Sequence, residues 1–169
     1  GQSYVTAKFA GIEDTVLVTL VYTDQIGADT VDTSVFTGAE VPTEGLWTYP
    51  EDGVGFPRNT PSIEFQWANM GQTAARLRFE SGVTDVTVYT TGTSWTAGED
   101  TWQRIAATNA GGTVDIELAL AVGGQVLTAP PITLSVNRMD GVGTVYYWAI
   151  DVEGFMRLPY GGAAEEFLT

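Results

Sequence analysis

The sequence predicts an all-β sandwich with one short helix, and three observations carry that expectation. Two stretches alternate with period 2: Ile63, Phe65 and Trp67 with Glu64 and Gln66, then Ala75, Leu77 and Phe79 with Arg76 and Arg78. Successive side chains on a strand point to opposite faces, so each stretch turns one apolar stripe to a core and one polar stripe to water. A helical period appears convincingly only once, after Thr96. Finally, 169 residues at 44% hydrophobic content are enough to bury a sizeable core without covalent staples.

Taken in order, residues 3–10 and 15–24 read as two strands joined by a turn at 11–14. The second carries Val16, Val18, Leu20 and Tyr22 on one side and Leu17, Thr19 and Val21 on the other, which predicts an interior strand covered on both faces. Residues 25–45 are rich in Asp, Thr and Gly and read as a long loop, with Thr33-Ser34-Val35-Phe36 as its one short strand. Residues 45–61 hold three prolines and two turn signals, Pro50-Glu51-Asp52-Gly53 and Pro57-Arg58-Asn59, and lead into the Ile63 strand. The Trp67 and Phe79 strands are expected to pair with each other.

Val86, Val88 and Thr90 continue the alternation, Gly92 breaks it, and residues 93–95 resume it. Thr96-Ala97-Gly98-Glu99 has the form of a capping box, with Asp100 also suited to a helix N-terminus. Trp102, Ile105 and Ala106 then fall at helical spacing until Asn109 and the following glycines stop the helix, after about three turns. Its expected task is to cover one end of the sandwich with Trp102. Val114, Ile116, Leu118 and Leu120 face inward, with Asp115 and Glu117 outward. Gly123-Gly124 signals a hairpin, and Pro130-Pro131 puts the strand at 132–136 near a sheet edge. After a crossing at 137–143, Val145, Tyr147, Ala149 and Asp151 share one side and Tyr146, Trp148, Ile150 and Val152 the other, again a strand covered on both faces. Gly154 turns the chain, Phe155-Met156-Arg157-Leu158 returns it, and the last seven residues have little to hold them. The divisions expected are 1–44, an N-terminal hairpin and acidic loop; 45–137, the sandwich; and 138–169, a C-terminal strand pair packed with that hairpin or forming a small second sheet.

Composition excludes several kinds of chemistry. No cysteine means no disulfide, thiol nucleophile or thiolate metal site, and no histidine means no Ser-His-Asp or Cys-His arrangement and no imidazole ligand. Seven basic against 21 acidic residues give a net charge of −14 and a pI near 4.1. Binding phosphates needs a basic footprint that these scattered cations do not form, so nucleic acid is excluded as a partner. No apolar run reaches the roughly 18 residues of a membrane helix. The start at Gly1 carries no signal peptide, as expected of a mature or trimmed chain. No organic cofactor is expected. Calcium is the one ion the sequence offers a place for, at Asp24, Asp29 and Asp32, but their spacing lacks the order of a calcium loop and suits a solvated segment better.

The residues from Trp47 to Val136 resemble a fibronectin type III or immunoglobulin-like module. Pro61-Ser62-Ile63-Glu64-Phe65-Gln66-Trp67 stands as the Trp-bearing strand, residues 75–79 as its partner, residues 92–96 before the crossover, and residues 116–122 with 132–136 as the closing hairpin. The order W-x-Y-P-x-D-G, P-x-I-x-F-x-W, T-S-W-T with a helix, then V-Y-Y-W and G-F-M-R-L-P-Y-G-G is similar to bacterial, especially myxobacterial, envelope proteins in which such a module precedes a TolB-like propeller. The resemblance implies a non-catalytic spacer or interaction module, secreted, periplasmic or at the cell surface. Its implied partner is a neighbouring domain or another envelope protein.

Two other functions compete with this one. Trp47, Tyr49, Trp95, Tyr146, Tyr147 and Trp148 would serve a carbohydrate-binding module if two or three of them stood exposed together; buried, they close the core. Asp151 and Glu153 place two carboxylates on one strand face and resemble part of the E-x-D-x-E strand of jelly-roll retaining glycosidases. The first position of that pattern is Ala149, which leaves the set incomplete and the enzyme reading remote. Asp115 and Glu117 repeat the spacing and read as a solvated face.

Overall fold

Phe65 and Phe79 meet ring edge to ring face, 5.2 Å between centroids, in the middle of an interior closed between two sheets. The computed structural model describes residues 2–149, 153–160, 162 and 164–168. Its strands are β1 (Gln2–Phe9), β2 (Ile12–Thr19), β3 (Tyr22–Ile26), β4 (Ala39–Pro42), β5 (Trp47–Tyr49), β6 (Gly55–Phe56), β7 (Glu64–Trp67), β8 (Ala74–Ser81), β9 (Thr84–Thr90), β10 (Ser94–Thr96), β11 (Thr113–Val122), β12 (Gln125–Thr128), β13 (Ile132–Val136), β14 (Thr144–Ala149), β15 (Gly154–Pro159) and β16 (Glu165–Leu168). With the single helix α1 (Glu99–Thr108), they make an all-β sandwich.

The larger layer runs β3-β9-β8-β11-β12-β4, and the smaller runs β10-β7-β5. β11 is long enough to serve two partners: its first half pairs with β13 and its second with β12, the prolines at 130–131 dividing them. β6 adds a short parallel pair on the far side of β13. Gly123 and Gly124 both take positive φ, 57° and 83°, and close the β11–β12 hairpin as the sequence predicts.

The Trp67 and Phe79 strands bury their apolar faces as expected, but they do not pair. β7 bonds to β10 and β5, whereas β8 bonds to β9 and β11, so the two strands face each other across the interior. Alternation fixes the face a strand buries, and it says nothing about which strand completes its hydrogen bonds. The shared interior holds Phe65, Trp67, Leu77, Phe79, Val86, Val88, Ile116 and Leu134, all buried. On the outer face Arg78 bonds Asp85 through Nε, at 3.0 Å, and reaches Glu80 at 3.0 Å.

The helix forms where predicted but without the capping box. Thr96 ends β10 opposite Glu64, and the N-cap is Gly98, which offers no side chain to bond. The sheet takes precedence because Ala97 N–H donates to Ile63 O at 2.9 Å, keeping the chain in the β10–β7 ladder up to the helix start. Glu99 and Asp100 occupy the first turn, where the helix dipole favours carboxylates. Trp102, Ile105 and Ala106 are buried in the core. At the other end the Asn109 amide donates to Thr84 Oγ1 and to Ile105 O, both at 2.8 Å, and Asn109 and Thr84 are the buried polar residues among those described.

The segment at 25–45 is built rather than loop-like. β3 lies parallel to β9, β4 lies parallel to β12, and between them Thr33–Thr37 is a 3-10 turn instead of the expected strand. Asp32 caps that turn by accepting from Ser34 N–H at 3.0 Å and Ser34 Oγ at 2.7 Å. Phe36 then packs with Ala74, Ala119, Ala121 and Val126 in a second, smaller cluster.

Both ends of the chain differ from expectation. β1 and β2 form a hairpin whose two-residue turn is Ala10-Gly11, both at positive φ, and β2 is exposed throughout. Val16, Leu17 and Val18 therefore stand in solvent instead of in an interior strand, because among the described residues β1 and β2 pair as a sheet of their own. At the other end β14, β15 and β16 form their own antiparallel sheet, so residues 165–168 are a strand rather than a loose tail.

Candidate functional site

The candidate aromatics separate into three environments. Trp47 sits opposite Trp67 and Tyr49 opposite Gln66, with a register shift between them. That shift ends their strict alternation: Trp47 packs on the core and donates its indole N–H to Pro130 O at 3.2 Å, while Tyr49 stands in solvent. Trp47 lines a cleft of about 360 Å³ with Pro50, Pro130 and Pro131, edged by Glu51 and Asp52. Trp95 belongs to the core wall, stacked on Phe65 at 6.0 Å and tilted against Phe79 at 5.9 Å.

The third environment is open. Tyr146 and Trp148 are 56% and 54% exposed on one face of β14, which overturns the expectation of a strand covered on both faces. Among the described residues, the ring contacts of Tyr146 and Trp148 are with their own sheet. Tyr146 meets Phe167 edge to face at 5.0 Å and Trp148 meets Phe155 at 5.1 Å. Arg157, paired across the ladder with Tyr146, lies 5.9 Å from the Phe167 ring centre and bonds Glu165 at 2.7 Å. Tyr147 alternates to the opposite face, opposite Met156. Sequence reasoning found Tyr146 and Trp148 but missed Phe155 and Phe167, which join the same face only through the cross-strand register.

The opposite face borders a cleft of about 470 Å³, lined by Phe56, Pro61, Val145, Leu158 and Tyr160. Beside it a double clamp joins segments 82 residues apart. Arg58 bonds Asp140 in bidentate fashion at 2.9 and 3.1 Å, and the Asn59 amide both donates to Gly141 O at 2.9 Å and accepts from Gly141 N–H at 2.6 Å. A Cβ at Gly141 would strike the Tyr160 ring, so glycine lets the connection pass under that ring. The Arg58 guanidinium holds Asp140 below its ordinary carboxylate pKa, and Asp140 raises Arg58 in return.

The acidic candidates are occupied otherwise. Asp24 accepts from Tyr22 Oη at 3.0 Å and from Gln25 N–H at 2.8 Å, and Asp32 caps the 3-10 turn. Hydrogen bonds from Ser34 hold Asp32 below its ordinary value. Asp29 lies in the turn after β3, and among the described residues no group of three or more Asp and Glu is placed to hold a cation. Asp151 lies outside the described residues with its neighbours Ile150 and Val152, while Glu153 is exposed at the turn into β15. Asp115 and Glu117 are exposed on β11, and Asp115 accepts from Thr133 Oγ1 at 2.6 Å. Asp32 and Asp140 are both stabilised as anions, which suits a cap and an ion pair and not a proton donor.

Fold and surface together define a class: an all-β sandwich with a closed core and an aromatic sheet face left open at its C-terminal side. No family model, curated protein or solved structure matches this chain.

Proposed function

We propose that the chain is a non-catalytic spacer or interaction module of fibronectin type III or immunoglobulin-like kind, working in a secreted, periplasmic or cell-surface protein. One observation carries this reading. Of the large apolar side chains exposed among the described residues, nine lie between Tyr4 and Val21 and eight between Val145 and Leu168, against four elsewhere. The sandwich completes its own interior, while the two terminal sheets each present the kind of apolar surface that marks a docking face. The resemblance to modules that precede a propeller in bacterial envelope proteins points the same way, since such a module meets its neighbours at its ends. The clamp at Arg58, Asn59, Asp140 and Gly141 supports a spacer that holds its C-terminal sheet in a set orientation.

A second reading, carbohydrate binding, is favoured by Tyr146 and Trp148 sharing an open face. Against it, each ring meets an aromatic neighbour at 67° or 82°, so the face is ridged rather than a flat stacking platform. The test is a photoreactive phenylalanine placed at Trp148 in the protein on its own producing cells. Protein adducts absent from a control probe at Glu117 are the expected result. Glycan adducts would support the second reading and overturn the first, and the absence of any adduct would overturn both.

A further inference from the structure

Resting on the interaction-module reading and naming its partner, we infer that the hairpin β1–β2 of one copy packs on the aromatic face of β14–β16 in a second copy, and reciprocally, to make a two-fold dimer.

The hairpin is two-sided. Directly opposed residues share a face, so Tyr4 with Leu17, Thr6 with Thr15 and Lys8 with Glu13 stand on one side, and Val5 with Val16, Ala7 with Asp14 and Phe9 with Ile12 on the other. The first side is satisfied in water: Lys8 pairs with Glu13 at 2.8 Å and the Thr6 and Thr15 hydroxyls bond at 3.0 Å. The second is nearly all apolar, yet Val5, Phe9, Ile12 and Val16 are 53%, 83%, 72% and 60% exposed. A two-stranded ribbon is marginal in water unless something covers its apolar face.

The C-terminal sheet presents the complementary case, a short twisted sheet whose outer face carries Tyr146, Trp148, Phe155 and Phe167. Two such sheets, one mainly aliphatic with Phe9 and one aromatic, can pack face to face as the halves of a sandwich. Charge does not oppose the contact. Copies with net charge −14 repel, but the hairpin face carries Asp14 alone, and on the aromatic face Arg157 and Glu165 neutralise each other. Area selects the reciprocal form. Each face offers on the order of 300–500 Å² of exposed apolar side chain. One contact falls short of the roughly 800 Å² per partner of a stable interface, and two reach it.

The experiment uses exposed positions, so the core is left alone. Ile12→Thr with Val16→Thr removes the hairpin face but keeps β-branched residues suited to a strand. Tyr146→Thr with Trp148→Thr removes the aromatic face in the same manner. In sedimentation equilibrium the unaltered chain is expected as a dimer at micromolar concentration, with each double variant weakening association at least tenfold. A 1:1 mixture of the two variants should then pair, more weakly than the unaltered chain, through the one contact left intact. A monomeric unaltered chain would overturn the inference, even where photoadducts to another protein uphold the interaction-module reading. Full self-association by the aromatic-face variant would overturn it in favour of hairpin on hairpin. A mixture that does not pair, or growth into open chains instead of dimers, would overturn it as well.

Discussion

At the scale of single residues, Asn109 shows how a polar group can hold a β fold together from inside. Its amide ties the helix C-terminus to Thr84 at the start of β9, and Thr84 and Thr108 share a further hydroxyl contact at 3.0 Å. Replacing Asn109 with Leu removes both amide bonds; the Ile105 carbonyl keeps the Asn109 backbone N–H and Thr84 keeps Thr108, so the loss is that of two hydrogen bonds at about 0.5–1.5 kcal/mol each, about 1–3 kcal/mol together. Urea denaturation should show a loss of that size at an unchanged slope, whereas Asn137→Leu at an exposed position should change little. The sequence marks Asn109 only as a helix stop, because its partner lies 25 residues away. Phe65 and Phe79 were legible as core from alternation alone. Truncating either to Ala is expected to cost about 3–5 kcal/mol. A double-mutant cycle should find about 0.5–1.5 kcal/mol of coupling for their edge-to-face contact, although they sit in different sheets.

At the scale of elements, β3 is where sequence reading merged two strands into one and where a glycine sits at a close backbone approach. Residues 22–26 pair with β9, and the chain leaves that strand through a turn in which Gly27, at φ 75°, accepts from the Thr30 and Val31 N–H groups. A Cβ on Gly27 would run into the Tyr89 carbonyl oxygen, while one on Gly53, at φ 80°, would meet open space. Gly53→Ala should therefore cost only the left-handed strain, about 1 kcal/mol. Gly27→Ala should cost more and release the amides of residues 22–26 to fast hydrogen exchange; equal losses at the two sites would refute this account. The sequence ran Tyr22–Asp24 on from the strand before it, and polar composition hid the end of β3 and all of β4, since both are short edge strands whose parallel partners lie far along the chain. Composition misled in the opposite direction for β2. A run apolar on both faces reads as interior, and no single-chain pattern records that the second layer is missing.

At the scale of the whole molecule, the sandwich class was legible because alternation reports burial directly. The open aromatic face was not, because it is assembled from three strands whose register no one strand contains. The Arg58–Asp140 and Asn59–Gly141 clamp ties the segment leading into that face to the sandwich, and its charged half is open to titration. Asp140 sits below its ordinary value of 3.8 because Arg58 bonds and attracts the carboxylate. A carboxyl depressed in the folded state contributes stability that is fully present above its unfolded pKa and is lost as pH falls through the folded one. The clamp is accordingly intact at neutral pH and loosens as pH falls through the folded pKa of Asp140, with a midpoint below the ordinary 3.8. NMR should show the Gly141 amide and the Val145 and Leu158 methyl groups shifting together with a midpoint under that value, while the Leu134 methyls in the core hold still over the same interval. In Asp140→Asn the shift should vanish and those groups should sit near their low-pH positions at every pH, since the uncharged amide cannot attract Arg58. A variant that still titrates would mean that some other carboxyl governs how the C-terminal sheet is held.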